Sequence, residues 1–585
     1  MNKQKLIRII YIATIVACVG IAVAVALLTD VPDATHDVTQ DSTATPFVSE
    51  TPVSTPTATP EVSPTPTATP IATPTPTPEA TVTPAPVCKE TVKSFHLTAK
   101  DNTGLKSEVV FQVNGTKITA TVSYLVNRNV LTSARPTIDA GNGKVTFNSE
   151  AVNSDGSLNL STPCICTVTD KDGQTRDYEV EVIYLKNELP IVYLTTDSGL
   201  AVTSKEQYVT GTFSLDCTDS FMSQYLNING KAIQIRGRGQ SSWEQFDKKS
   251  YKIKFDTKTE VLGMTPNKKW VLIANHPDKT LMQNHIAMTM GSVLDNLAFT
   301  PHQYLVDVFF NGEYLGVYTI GEQLEVKNGR VDIEPEEGDD SLAFLIELGG
   351  RDDDALNPPK YYTVGYLRNF TIHYPEEEVI SSNDVSRIKN YLRQCDNAVK
   401  YLQDYEEYID VDSLIDWIIC YEMTYNLDGC MRRSCYMVLE PGGKLKMGPI
   451  WDFDLAFGNF HRYTEGTWAT LGSAADDTYV KLNWVNCLVA DPEFMDRLRA
   501  RWDEIKDQLL ADMLAEVDYT YQVTKPSATL NFQKWDVLGT RLFGQPYSTV
   551  NYKTYDAQVK RLREYIIDRW NWLDGQDWNM PLTDF

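Results

Sequence analysis

Gly448-Pro449-Ile450-Trp451-Asp452-Phe453-Asp454-Leu455-Ala456-Phe457-Gly458 is the stretch on which the reading of this chain turns. Two carboxylates, two residues apart, stand between Trp451 and Phe457. An ionised acid held away from water is costly without a partner. Two of them side by side repel unless a cation sits between them. Upstream, Leu414, Trp417, Ile418 and Tyr421 recur at helical spacing, which predicts a helix from about Val411 to Thr424. It ends in Tyr425-Asn426-Leu427-Asp428-Gly429. Strands over Ser434 to Leu439 and Lys444 to Gly448 follow, joined by the turn Pro441-Gly442-Gly443. A hairpin brings its two ends together, so Asp428 and Asp452 are expected to face one cleft. With extended backbone, Asp454 lies on the same side as Asp452. In phosphoryl transfer one carboxylate orients the attacking hydroxyl and another holds the Mg²⁺ that bridges the phosphates. Asp428, Asp452 and Asp454 are the candidates for these two roles.

Toward the N-terminus, Ile233-Gln234-Ile235-Arg236-Gly237-Arg238-Gly239-Gln240-Ser241-Ser242-Trp243 reads as a strand running into a loop. Glycine lets backbone amides approach a phosphate, and arginine adds charge. Arg236, Gly237, Arg238, Gly239, Ser241 and Ser242 are therefore phosphate-binding candidates. In the next strand, Lys248 to Phe255, period two places Lys249 with Tyr251, Ile253 and Phe255. A lysine on an apolar face has to find an anion, which makes Lys249 the candidate for holding ATP phosphates. Lys252 and Lys254 fall on the other face and read as solvated. A helix over Leu281 to Leu297 comes next, then a hairpin about Asn311-Gly312 with Glu322-Gln323 behind it. Loop, lysine strand, helix and hairpin is the layout of a protein-kinase N-lobe. The helix has its first acid at Asp295, near its end, where a kinase needs the glutamate that pairs with the lysine. Glu322 is the candidate substitute.

Four blocks in this order, Arg236 to Trp243, Lys248 to Phe255, Asn311 to Tyr318 with Glu322-Gln323, and Gly448 to Asn459, resemble the CotH kinase family. That family takes its name from a spore coat protein and resembles atypical protein kinases. The resemblance spans roughly residues 190–575. It implies a diverged two-lobe kinase-like fold and transfer of the ATP γ-phosphate to protein Ser/Thr with Mg²⁺. It also implies that Lys249 contacts ATP, Asp428 is the catalytic-loop acid and Asp452 the metal ligand, with Asp454 a second metal ligand candidate. One departure stands out: five residues after Asp428, where kinases carry an asparagine for a second Mg²⁺, this chain has Arg433, followed by Ser434.

The rest of the chain sets the context. A net charge of −25 over 585 residues argues against nucleic acid, whose phosphates need a basic surface. Ten cysteines without a CxxC pair argue against a disulfide scaffold or a structural zinc site. Lys3, Lys5 and Arg8 precede an uncharged run from Ile9 to Leu28, long enough at about 1.5 Å per residue to cross about 30 Å of hydrocarbon. Residues 1–30 therefore read as a signal-anchor with the bulk of the chain outside a cell membrane. A cleaved signal and a lipoprotein box at Cys18 are the other readings. Residues 31–87 repeat Thr-Pro and form an extended tether. Residues 88–187 alternate over short runs with Asn114-Gly115 and Asp172-Gly173 turns, which predicts an all-β sandwich similar to bacterial immunoglobulin-like modules. The expected architecture is α+β: anchor, linker, sandwich, and a kinase-like domain over 188–585. The competing reading is a degenerate kinase fold kept for cell-wall, carbohydrate or spore-coat attachment.

Overall fold

The computed structural model describes residues 87–105, 108–123, 128–148, 156–349, 362–470, 483–576 and 578. The expected anchor, nearly all of the tether and the charged loop Arg351 to Asp354 lie outside them. Among the described residues no helix is long and apolar enough to cross a membrane.

The first β region holds β1 (Ser94–Leu97), β2 (Val109–Asn114), β3 (Lys117–Ser123), β4 (Thr137–Asp139), β5 (Lys144–Phe147), β6 (Cys164–Thr169) and β7 (Thr175–Leu185). Alternation does here what it predicts: Val109 and Phe111 are buried while Val110 and Gln112 are exposed. Hydrogen bonds link all seven strands into one sheet, in the order β4-β1-β2-β3-β7-β6-β5, through a parallel β3–β7 pair. The sheet curls over its own core, bringing Phe95 of β1 to 6.3 Å from Phe147 of β5 between ring centroids.

Next come β8 (Ile191–Thr196), β9 (Val209–Asp216), β10 (Ile228–Arg238), β11 (Ser250–Val261), β12 (Met264–Ile273), β13 (Gln303–Phe310) and β14 (Glu313–Glu322), which form a closed barrel. Its filling is Ile233 and Ile235 from β10, Tyr251, Ile253 and Phe255 from β11, Trp270 and Leu272 from β12, and Tyr318 and Ile320 from β14. Closure is completed by the parallel β8–β13 pair. The short helix α1 (Ser241–Gln245) sits in the β10–β11 connection, and α2 (Gln283–Thr289) follows β12. The helix expected over Leu281 to Leu297 is thus cut to two turns, continued by a single 3₁₀ turn at Met290–Ser292.

The remaining part is a sheet, β16-β17-β15-β18-β19, formed by β15 (Phe344–Leu348), β16 (Tyr362–Val364), β17 (Leu367–Tyr374), β18 (Cys435–Leu439) and β19 (Leu445–Met447). It packs with α3 (Ser382–Tyr401), α4 (Val411–Thr424), α5 (Trp484–Leu488), α6 (Pro492–Lys534) and α7 (Tyr555–Asp574) over the largest apolar core. Helix α4 has the bounds that its periodicity predicts, capped by the Asp410 side chain at its start and by left-handed Tyr425 at its end. Its buried Glu422 accepts from the amides of Ala469 and Thr470 and pairs with buried Arg569 of α7 at 2.7 Å. The fold is mixed α+β.

Candidate active site

Apolar side chains fill the interior of this barrel, so a ligand can meet only the outward face of its strands. On β10 and β11 the outward residues are Arg236 and Arg238, paired in register with Lys252 and Ser250. Lys252 lies opposite Val271 of β12, and Lys254 opposite Lys269. This row of cations has few anions beside it. Burial, then the neighbouring charges of Arg236 and Lys269, lower the Lys252 ammonium to about 8. The Lys252 ammonium makes no hydrogen bond to any described residue. Cations crowded in this way fit a bound anion.

A cleft at the end of this row is lined by Arg238, Ser242, Lys248, Ser250, Asn284, Trp451, Asp452 and Asp454, among others, with about 430 Å³ of empty space counting its open mouth. The guanidinium of Arg238 lies 5.7 Å from the centre of the Trp451 ring. Burial works against its charge, and Asp452 is first among the groups that sustain it. Asp452 itself has a positive φ of 69°, and Ser434, at the foot of β18, one of 48°, both in the left-handed region that non-glycine residues seldom occupy. Two amides hold the strained segment. Asn426 Nδ2 donates to the Asp452 carbonyl at 3.0 Å, and Asn284 Oδ1 accepts from the Phe453 amide at 2.8 Å. The Ser434 hydroxyl donates to Asp452 Oδ2 at 3.3 Å.

The three acids sense one another. Its depth in the protein and then the charge of Asp428 push the Asp452 carboxyl up, with Arg238 opposing. Its carboxylate still meets water in the cleft, so this shift is the smaller one. The more enclosed Asp454 is pushed well above the usual carboxylate range, by burial first and by Asp452 next. Asp428 is held by Arg433, whose Nη1 is 3.4 Å from Oδ1. Among the described residues, no cluster of three or more His, Cys, Asp or Glu forms a cage for a metal. Mg²⁺ in nucleotide sites asks for less, taking one or two carboxylates and completing its shell with phosphates and water. Asp452 and Asp454, adjacent and mutually repelling, fit that requirement.

The other candidates sort by strand face. Gly237 points inward and carries the Trp243 ring: a Cβ there would meet it at 2.3 Å. Gly239 turns at φ 94°, with Ser242 Oγ 2.3 Å from where a Cβ would be. Ser241 opens α1 and Ser242 lines the cleft. Arg236 donates to the Lys205 carbonyl and lies over Tyr208, beside the cleft but outside its lining. Lys249 does share the parity of Tyr251 and Ile253, but that face is the barrel interior. Its ammonium closes the barrel mouth by donating to the Trp243 carbonyl at 2.6 Å. Lys248, one residue earlier, is the buried lysine of the cleft wall, bonded to the Val317 carbonyl and Asn531 Oδ1. Glu322 is likewise inward, opposite Trp270, and accepts from the amide and ring of His302. It makes no contact with Lys249. Sequence reasoning read Lys252 as solvated and missed Asn284 and Asn426. The signal for Lys252 was its parity with Arg236 and Arg238, legible only once the inward face is known to be a closed core.

A family model described as CotH kinase protein matches residues 233–573, from the β10 strand to the end of α7. No curated protein matches the chain.

Proposed function

The chain belongs to the CotH kinase family, matched over more than half its length, and from that premise we propose a Mg²⁺-dependent protein kinase that moves the ATP γ-phosphate to Ser or Thr hydroxyls. The observation that carries the reading is the cleft lined by Arg238, Asp452 and Asp454, with Asp428 outside that lining but near enough for its charge to raise both acids. Arg238 and Lys252 bind the phosphate chain of ATP from the barrel side. Asp428 orients the acceptor hydroxyl and takes its proton as the new O–P bond forms and the bond to the ADP oxygen breaks. Asp452 and Asp454 hold the metal, with Ser434 and Asn426 fixing Asp452. Bound Mg²⁺ neutralises charge on the phosphates. Trp451 lines the cleft and packs in one apolar cluster with Tyr436 and Val271.

The anchor-like N-terminus and the tether support placement of this kinase outside a cell membrane, acting on proteins of the envelope or spore surface. The pairing of Arg433 with Asp428 favours a second reading, a kinase fold kept for binding, because it occupies the acid that catalysis needs free. Incubating the full-length chain with γ-labelled ATP, Mg²⁺ and Ser/Thr-rich acceptor protein decides between them. The kinase reading expects label on the acceptor, lost in Asp452→Ala. No transfer by the unmutated chain, with ATP bound, supports the binding module.

A further inference from the structure

Helix α2 stands where a kinase has its lysine-pairing glutamate, and its first turn holds no acid but two buried amides, Gln283 and Asn284. Gln283 is used within the fold: it donates to the Ala456 carbonyl and accepts from Asn459. Asn284 is used by half. It is 3 % exposed, and Oδ1 is committed to the Phe453 amide, midway between Asp452 and Asp454. That bond fixes which end of the amide is oxygen. Nδ2 retains two N–H donors, and no described residue accepts from them. The residue lines the cleft together with both carboxylates and Arg238.

The other groups on this wall are also short of acceptors. Ser250 Oγ accepts from the Ala274 amide, and its own proton has no described acceptor. Ser242 lines the same space. Donors gathered round two carboxylates call for an occupant that brings acceptor oxygens and a cation together. A metal-bound phosphate does so. A third acid at position 284 would repel that phosphate; an amide donates to it.

We propose that Asn284 Nδ2 donates to a phosphate oxygen of the metal-bound nucleotide, making this residue a direct binding contact as well as a brace for the Asp452–Asp454 segment. The inference rests on the kinase reading above and adds a contact from α2. It also places an amide by the metal site in a chain whose catalytic loop has Arg433 at the usual asparagine spacing.

Asn284→Asp separates the two duties. It is nearly isosteric, keeps an oxygen for the Phe453 amide, and turns the two donors into an acceptor. Titration calorimetry on the full-length chain, with Mg-ATP, adenosine and Mn²⁺ alone as probes, reads the result. The expected outcome is Mg-ATP affinity at least tenfold weaker, adenosine within twofold, and Mn²⁺ alone bound as well or better. Mg-ATP affinity within twofold of the unmutated chain overturns the proposal. So does an equal loss for ATP and adenosine, which is the mark of a purely structural role. Should Asn284→Asp not fold, Asn284→Ala gives the same ratio of ATP to adenosine affinity as readout, with the same two outcomes. An unmutated chain that binds no Mg-ATP overturns the kinase reading itself, and the two failures are told apart by that control.

Discussion

Asp454→Asn should make the metal-free protein more stable at neutral pH while removing its response to Mg²⁺. Both folded-state shifts at Asp452 and Asp454 are upward. A carboxyl raised above its unfolded value favours the folded state at low pH and loses that advantage as pH rises through the folded value. At neutral pH the pair is therefore a liability in the absence of metal. Two unit charges about 4 Å apart repel by about 4 kcal/mol at an effective dielectric near 20. Water in the open cleft screens much of this, leaving about 1–2 kcal/mol to be recovered by neutralising one partner. For the roughly 340 residues of the matched region, at about 2.1 cal/mol/K per residue, that is a rise in Tm of about 1–3 °C. Scanning calorimetry at pH 5 and pH 8, with EDTA or with Mg²⁺ and ATP, gives four melting curves for each protein. The unmutated chain should lose stability from pH 5 to pH 8 without metal and regain it with Mg-ATP. Asp454→Asn should show a smaller pH loss and little gain from metal. A variant that melts lower than the parent in EDTA at pH 8, or that keeps the full Mg-ATP gain, refutes the account of the pair as a metal-holding site.

Four further outcomes follow from named residues. Asp428→Asn should lower phosphate transfer about 10²–10⁴-fold while Mg-ATP affinity stays within threefold, measured by labelled transfer beside calorimetry. Lys252→Met should weaken ATP binding at least tenfold, whereas Lys249→Met should change it less than threefold, because Lys249 is spent on the Trp243 carbonyl. In the unmutated chain, ATP affinity should fall as pH rises through about 8, where free Lys252 loses its proton, and Lys252→Arg should move that fall upward. Arg569→Met leaves Glu422 buried without its cation, with the pair at 2 % and 0 % side-chain exposure. Denaturant unfolding should show a loss of about 3–5 kcal/mol.

Much of the site was legible because its geometry is local. The run from Leu414 to Tyr421 dictates α4, and the Pro441-Gly442-Gly443 turn dictates the β18–β19 hairpin, so the approach of Asp428 to Asp452 follows from neighbours in sequence. What misled was a face. Period two correctly groups Lys249 with Tyr251 and Ile253, but it does not say whether that face meets a ligand or a closed core. The answer depends on β8 pairing with β13, about a hundred residues apart, which no local pattern reveals. The same closure turns Glu322 inward onto His302. Asn284 and Asn426 were invisible for a related reason. Each holds the Asp452–Phe453 segment across the fold, and a lone asparagine in a helix or turn carries no periodic signal.

Helix α6 constrains how this fold can breathe. Over 43 residues, about 64 Å at about 1.5 Å per residue, it fastens first to α4 through Arg501 and Asp416. It then meets α2 through Glu516 and His285, and the barrel through Ser527 with Asp307 and Asn531 with Lys248. A clamshell swing between barrel and helical half would have to shear those bonds in one motion. A crosslink pinning α6 to the barrel should therefore leave nucleotide binding unchanged.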